Sequence, residues 1–225
     1  MKNPFSDFQS VSAGRRRIPL MSILHAKETI LLQLSLGFTK LIEDEVAHLF
    51  TGEGNGYLFR IYQAALQKAR ELQYDALDIE DYLVALDPST PVPFPQVPVA
   101  EIYLAALINH AQEERLRLPV MDCRRTFHFL GYRLPQGKTL VIEGDAGNFT
   151  GAFLAGGSVI VKGSSGDYCG AGMTQGEIVI HGPAGRHLGN WMRGGEIRVS
   201  GSLGSIGKEI FGGKIFQQGK LLKQL

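Results

Sequence analysis

The chain has 225 residues, enough for one large domain or two modest ones, and its 44% hydrophobic content can supply a packed core. A formal net charge of +1 gives no global pull toward nucleic acid or an anionic membrane, and no apolar run approaches the roughly 18 residues of a membrane span. Cys123 and Cys169 are too few for a disulfide framework and form no C-x-x-C pair, which suits a reducing cytoplasm.

Residues 1–20 read as a flexible, solvated arm that mixes Asn, Ser, Asp and Gly with Arg15, Arg16 and Arg17. No apolar segment with a small-residue cleavage site follows the arginines, so the arm does not read as a secretory signal. Residues 21–118 are expected to form an α-helical domain. A first helix over about 22–50 carries Ile23, Ile30, Leu34 and Leu41 at helical spacing, with Leu31, Phe38, Ile42, Val46 and Leu49 beside them. The glycines at 52, 54 and 56 break it. No strand precedes them and no Lys-Ser/Thr follows, so the stretch reads as an interhelix loop rather than a phosphate loop. A second helix, about 57–72, presents Leu58, Ile61, Tyr62, Ala65, Leu66 and Ala69 on one face, and a third starts with Asp78 as N-cap. Pro88, Pro91, Pro93, Pro95 and Pro98 predict an extended linker, followed by a fourth helix over about 99–116. Phe127 and Phe129 alternate like a short strand, and Leu134-Pro135-Gln136-Gly137 reads as a turn.

From Leu140 onward a period of 19 residues takes over. Glycines recur in register at Gly144, Gly163, Gly182 and Gly201, and again at Gly147, Gly166, Gly185 and Gly204. A third set, Gly151, Gly170 and Gly189, slips by one residue at Gly207. Apolar columns run alongside: Leu140, Val159, Ile178, Ile197 and Ile215; Ile142, Val161, Ile180 and Val199; and Leu154, Met173 and Met192. Such a period predicts a solenoid, and its length suits one coil of a right-handed parallel β-helix better than a propeller blade. Residues 119–225 are therefore assigned to a β-helix of two or three short extended segments per coil. The polar columns Glu143, Lys162, His181, Ser200 and Asn148, Asp167, Arg186, Ser205 should face outward. They would set Glu143 beside Lys162 and Asp167 beside Arg186 on neighbouring coils. Open ends need covers, and the helices, residues 221–225 or a partner subunit are candidates.

The runs Gly-Gly-Glu-Ile-x-Val-x-Gly-x-x-Gly over 194–204, Gly-Gly-Ser-Val-Ile-Val-Lys-Gly-Ser-Ser-Gly over 156–166 and Gln-Gly-Glu-Ile-Val-Ile-His-Gly-Pro-Ala-Gly over 175–185 resemble the GXGXG family. That family includes the C-terminal β-helix of the glutamate synthase large subunit and a β-helical subunit of formylmethanofuran dehydrogenase. The resemblance covers about 125–222 and implies a spacer or docking wall rather than a catalytic domain. The helical half resembles no named family, and it cannot encode the amidotransferase or flavin/iron–sulfur parts of glutamate synthase.

Candidate chemistry is sparse. Glu45/His48 and His110/Glu113 are i, i+3 pairs of a kind that holds metals in bundles, but the second pair is reversed, and solvated or hydrogen-bonding roles fit better. Cys169 and His187 lie one coil apart, yet Cys169 shares its column with Thr150 and Leu188 as a packing residue does. Tyr168 and His187 share a column with Phe149 and Ile206 and should stack. Trp191 aligns with Phe153 and Gly172 and either fills the gap above that glycine or marks a contact surface together with Tyr168, His187 and Arg186. No catalytic, cofactor or metal residues are assigned. The expectation is a non-catalytic cytoplasmic scaffold that docks protein subunits or self-associates, without nucleic acid or membrane. The alternative is an accessory subunit of a glutamate synthase-like or formylmethanofuran dehydrogenase-like complex.

Overall fold

A computed structural model describes residues 20–49, 56–86 and 96–224. The expected arm, the loop at 51–55 and most of the Pro-rich linker lie outside the described residues. Four helices, α1 (Leu20–Leu49), α2 (Tyr57–Arg70), α3 (Ala76–Ala85) and α4 (Gln96–His110), precede seven strands. These are β1 (Arg115–Leu118), β2 (Thr139–Ile142), β3 (Ala155–Val161), β4 (Gln175–Ile180), β5 (Arg193–Val199), β6 (Gly212–Gln217) and β7 (Lys220–Gln224). The strands form one sheet in chain order, parallel from β1 to β6 and antiparallel at β7. This is the expected helical half joined to a parallel β-solenoid.

The predicted columns are register partners. Leu140 pairs with Val159, Val159 with Ile178, Ile178 with Ile197 and Ile197 with Ile215, and all five are buried. Ile142, Val161, Ile180 and Val199 run beside them. The third column is longer than expected. Arg133 N–H donates to Ala152 O and Phe211 N–H to Met192 O, which places Leu134 below Leu154 and Ile210 above Met192. Leu134, Leu154, Met173, Met192 and Ile210 are thus spaced 20, 19, 19 and 18 residues apart. The extra residue of the first coil falls in the Pro135–Lys138 turn, and the last coil is one residue short.

Only one segment of each coil is a regular strand. On the other faces single bridges link Ala146, Ser165, Ala184 and Leu203 from coil to coil. The cause is backbone conformation at the far corner. In four successive coils three alternate residues have positive φ, as at Tyr168 (59°), Gly170 (69°) and Gly172 (66°), and a strand cannot continue through them; the last coil lacks the pattern. Two glycine roles separate here. Gly170 needs its left-handed φ, whereas Gly182 needs closeness, because a Cβ there would stand 2.7 Å from the Gly163 carbonyl carbon below.

Several boundaries differ from expectation. The α3 N-cap is Asp75, not Asp78. Asp75 accepts from Asp78 N–H while Asp78 accepts from Asp75 N–H, a reciprocal capping box that starts the helix three residues earlier. Helix α4 begins at Gln96, inside the Pro-rich stretch, since Pro98 falls in a first turn whose N–H groups lack intrahelical acceptors. It ends at His110, not Leu116. Arg115-Leu116-Arg117-Leu118 alternates exposed and buried and forms β1, so the solenoid starts before residue 119. Phe127 and Phe129 lie in no strand. The Arg125 guanidinium sits 4.6 Å over the buried Phe127 ring, and Phe129 is left-handed with φ 53°.

The helices cover the first-coil end of this chain's own stack. Residues Val99–Ile108 are buried around the whole helix, as expected for one enclosed on every side. Helix α3 packs against β1, and one hydrophobic core runs from Leu34 to Ile215. Polar links fasten the joint. Glu101, 1% exposed, meets Arg125 at 3.0 Å and accepts from His128 N–H at 3.0 Å. Asn109 donates to Tyr132 O and Tyr62 OH, and Lys138 Nζ donates to Ala111 O and Glu113 O.

Candidate functional site

The left-handed corner builds an aromatic ladder. Phe129 stacks on Phe149 with centroids 4.9 Å apart, Phe149 on Tyr168 at 5.0 Å, and Tyr168 on His187 at 4.7 Å. Each ladder residue has φ between 53° and 60°, a conformation costing about 1–2 kcal/mol for a residue with a Cβ. Two gains offset that cost. Positive φ aims Phe149 N–H at Asp167 O and Tyr168 N–H at Arg186 O on the next coil. It also superposes the rings, and each stacked pair contributes about 0.5–1.5 kcal/mol. The stacking expected of Phe149, Tyr168 and His187 is present, and Phe129 extends it by one rung; Ile206 does not continue it, because the short last coil sets Ile206 beside Leu188 instead.

Trp191 lies nearly parallel to Tyr168 at 6.0 Å, and its Nε1–H donates to Glu209 Oε2 at 2.7 Å. It remains 42% exposed, and Phe153, under Gly172 in the same column, is 45% exposed. Arg186 ties to Asp167 through its backbone N–H at 2.7 Å and its guanidinium at 2.9 Å. Those donors hold the Asp167 carboxyl below the usual carboxylate range. The fold therefore brings Trp191, Tyr168, His187 and Arg186 onto one flank. Glu143 lies beside Lys162 in register, as expected, and its carboxylate meets Arg117 at 3.3 Å, because β1 lies beside β2.

The outer face of the sheet is less polar than simple alternation would make it. Val141, Ile160 and Val179 occupy one register line between the inward columns, continued by Arg198 and Phe216. The Arg198 guanidinium lies 4.6 Å over the Phe216 ring. Near the helix–solenoid joint a depression of about 340 Å³ is lined by Met121, Cys123, Arg124, Arg125, Thr126 and Asp145, among others. Its charged groups are engaged: Arg125 with Glu101, and Asp145 with the N–H and hydroxyl of Ser164.

Among the described residues, the candidate pairs Cys169/His187 and His110/Glu113 do not assemble into catalytic or metal-binding sets. Cys169 is fully buried, and burial pushes its thiol up to about 12, so it is a packing residue beside an outward-facing ladder. His110 meets the edge of Tyr74 at 6.3 Å, and burial, with Arg70 and Lys138, lowers its pKa. Glu113 turns away to accept from Ala76 N–H at 3.2 Å, at the start of α3. The side chains of Glu45 and His48 lie outside the described residues. Among the described residues no three His, Cys, Asp or Glu side chains converge as a metal site requires, and no helix is long and apolar enough to cross a membrane. What the flank offers chemically is a rigid, half-exposed aromatic surface with polar handles.

No family model, curated protein or solved structure matches the chain.

Proposed function

We propose that the chain is a non-catalytic docking wall, whose solenoid holds or joins protein subunits and whose helices seal one end. The observation that carries this reading is the flank on which Trp191 and Phe153 stand half-exposed beside the partly buried Tyr168 and His187, on a backbone fixed by coil-to-coil hydrogen bonds. Aromatic anchors on rigid supports are the usual centre of a protein interface. Self-association through the same flank is one form of it. The free state of both cysteines supports a cytoplasmic setting. A second reading, an accessory subunit of a glutamate synthase-like or formylmethanofuran dehydrogenase-like complex, is favoured by the glycine-aliphatic runs over 156–204.

The test is affinity capture from native cells with the intact chain and with a Trp191→Ala/Phe153→Ala variant, read by mass spectrometry and sedimentation. A defined partner or self-assembly that the variant loses is expected, and a redox or one-carbon enzyme among the captured proteins would select the second reading. Equal capture by both chains would refute the aromatic flank as the docking surface.

A further inference from the structure

The last coil ends in a sheet edge of distinct chemistry. Strand β7 turns back through Gln218 and Gly219, with φ of 49° and 76°, and among the described residues it pairs with β6 on one side alone. All five of its residues are exposed. The opposite edge, β1, packs against α3. Edge strands left open present unpaired backbone groups to any extended chain.

Charge selects which chain. Lys208, Lys214, Lys220 and Lys223 are all exposed. Glu209 is the sole acid in residues 208–224, and its carboxylate accepts from Trp191. This segment carries a formal +3 in a chain whose total is +1. Between the lysines stand exposed apolar side chains: Phe211 at 59%, Leu221 at 42% and Leu222 at 38%.

We propose that the free edge of β7 takes an extended acidic segment of a partner protein as an added strand, with carboxylates near Lys220 and Lys223 and apolar residues against Leu221 and Leu222. Backbone pairing supplies affinity for any extended chain, and the lysines reject basic ones. The same lysines disfavour a second copy, since two β7 strands side by side would crowd like charges. This surface is separate from the aromatic flank, so either can fail alone.

The test uses the full chain and a short fluorescent peptide of alternating glutamate and valine, with a lysine–valine peptide of equal length as counterpart. Fluorescence anisotropy should show binding of the acidic probe alone. Lys220→Glu/Lys223→Glu should weaken it about tenfold or more and admit the basic probe, while circular dichroism stays unchanged. Bound acidic probe should slow hydrogen exchange at β7 amides, and Trp191→Ala should leave its binding intact. The proposal is overturned if the double variant binds the acidic probe as well as the parent does, or if binding leaves β7 exchange unchanged. It is equally overturned if the edge instead takes a short RNA or a second copy of the chain in preference to the probe.

Discussion

Replacing Gly182 by alanine isolates the close approach of coils from every other role of glycine. Its N–H donates to Gly163 O at 2.9 Å, and its own carbonyl accepts from Gly201 N–H at 3.1 Å. An added Cβ would lie 2.7 Å from the carbonyl carbon and oxygen of Gly163 and 2.9 Å from Ser164 N. These are backbone atoms held in the ladder, so relief requires parting the coils. Alanine restricts the unfolded chain and by itself favours folding by about 0.4–1 kcal/mol. Against that, overpacking costs about 1–3 kcal/mol, and two strained coil-to-coil hydrogen bonds cost about 1 kcal/mol each. The net expectation is a loss of about 3 kcal/mol, equivalent to a Tm lowered by about 6–12 °C in a chain of this size. Gly56 is the control: it has φ −112° and, among the described residues, nothing within 4 Å of the site of a Cβ, so Gly56→Ala should be near neutral. Thermal melts followed by far-UV circular dichroism decide the matter. If Gly182→Ala melts with the parent, or falls no further than Gly56→Ala, the tight spacing of coils is not what glycine serves here.

Ile180→Asp should unfold the solenoid or cost upwards of about 4 kcal/mol, because its buried column offers a carboxylate no partner, whereas Lys162→Ala, at an exposed site, should shift the melt little. Similar melts for the two variants would overturn the assignment of inward and outward faces. Arg125→Met should cost about 3–5 kcal/mol by stranding the buried Glu101 carboxylate, and Arg125→Met/Glu101→Leu should recover part of that in denaturant titrations. The Cys169 thiol is raised from 9.0 to about 12 by burial, so the unfolded chain loses that proton first and stability falls as pH rises above about 9. Cys169→Ala should flatten that fall between about pH 9 and 10, by no more than about 1.4 kcal/mol per pH unit, before the buried tyrosines contribute. An unchanged slope would mean the thiol is not held in a dry interior.

Inward columns were legible because stacking repeats one environment: Val159, Ile178 and Ile197 meet the same neighbours and so share a chemistry. Where the environment does not repeat, the sequence was harder to read. Strand β1 hides behind α4, and only the alternation Arg115-Leu116-Arg117-Leu118 betrays it, twenty-four residues ahead of its partner column rather than nineteen. Asp75 and Asp78 both suit a cap, and the three-residue spacing between them was the missed clue. Aromatic residues at Phe129, Phe149 and Tyr168 announced a shared column, but nothing in side-chain identity signals a positive φ at a residue with a Cβ. The carboxylate of Glu209 above Trp191 was equally unreadable, since the last coil runs eighteen residues rather than nineteen.

Because each coil meets only the one before and the one after, height along the stack is counted in whole copies. A duplicated unit inserted between Val161 and Ile180 would leave every spine, rung and glycine contact aligned and raise the wall by about 4.8 Å. A single extra residue within a strand would turn one layer's interior to the solvent, whereas the Pro135–Lys138 turn absorbs one. The molecule is in effect a ruler graduated in coils, with its zero at the helices and its last mark at β7. Any two partners bound along it would be held at a distance set by repeat number alone.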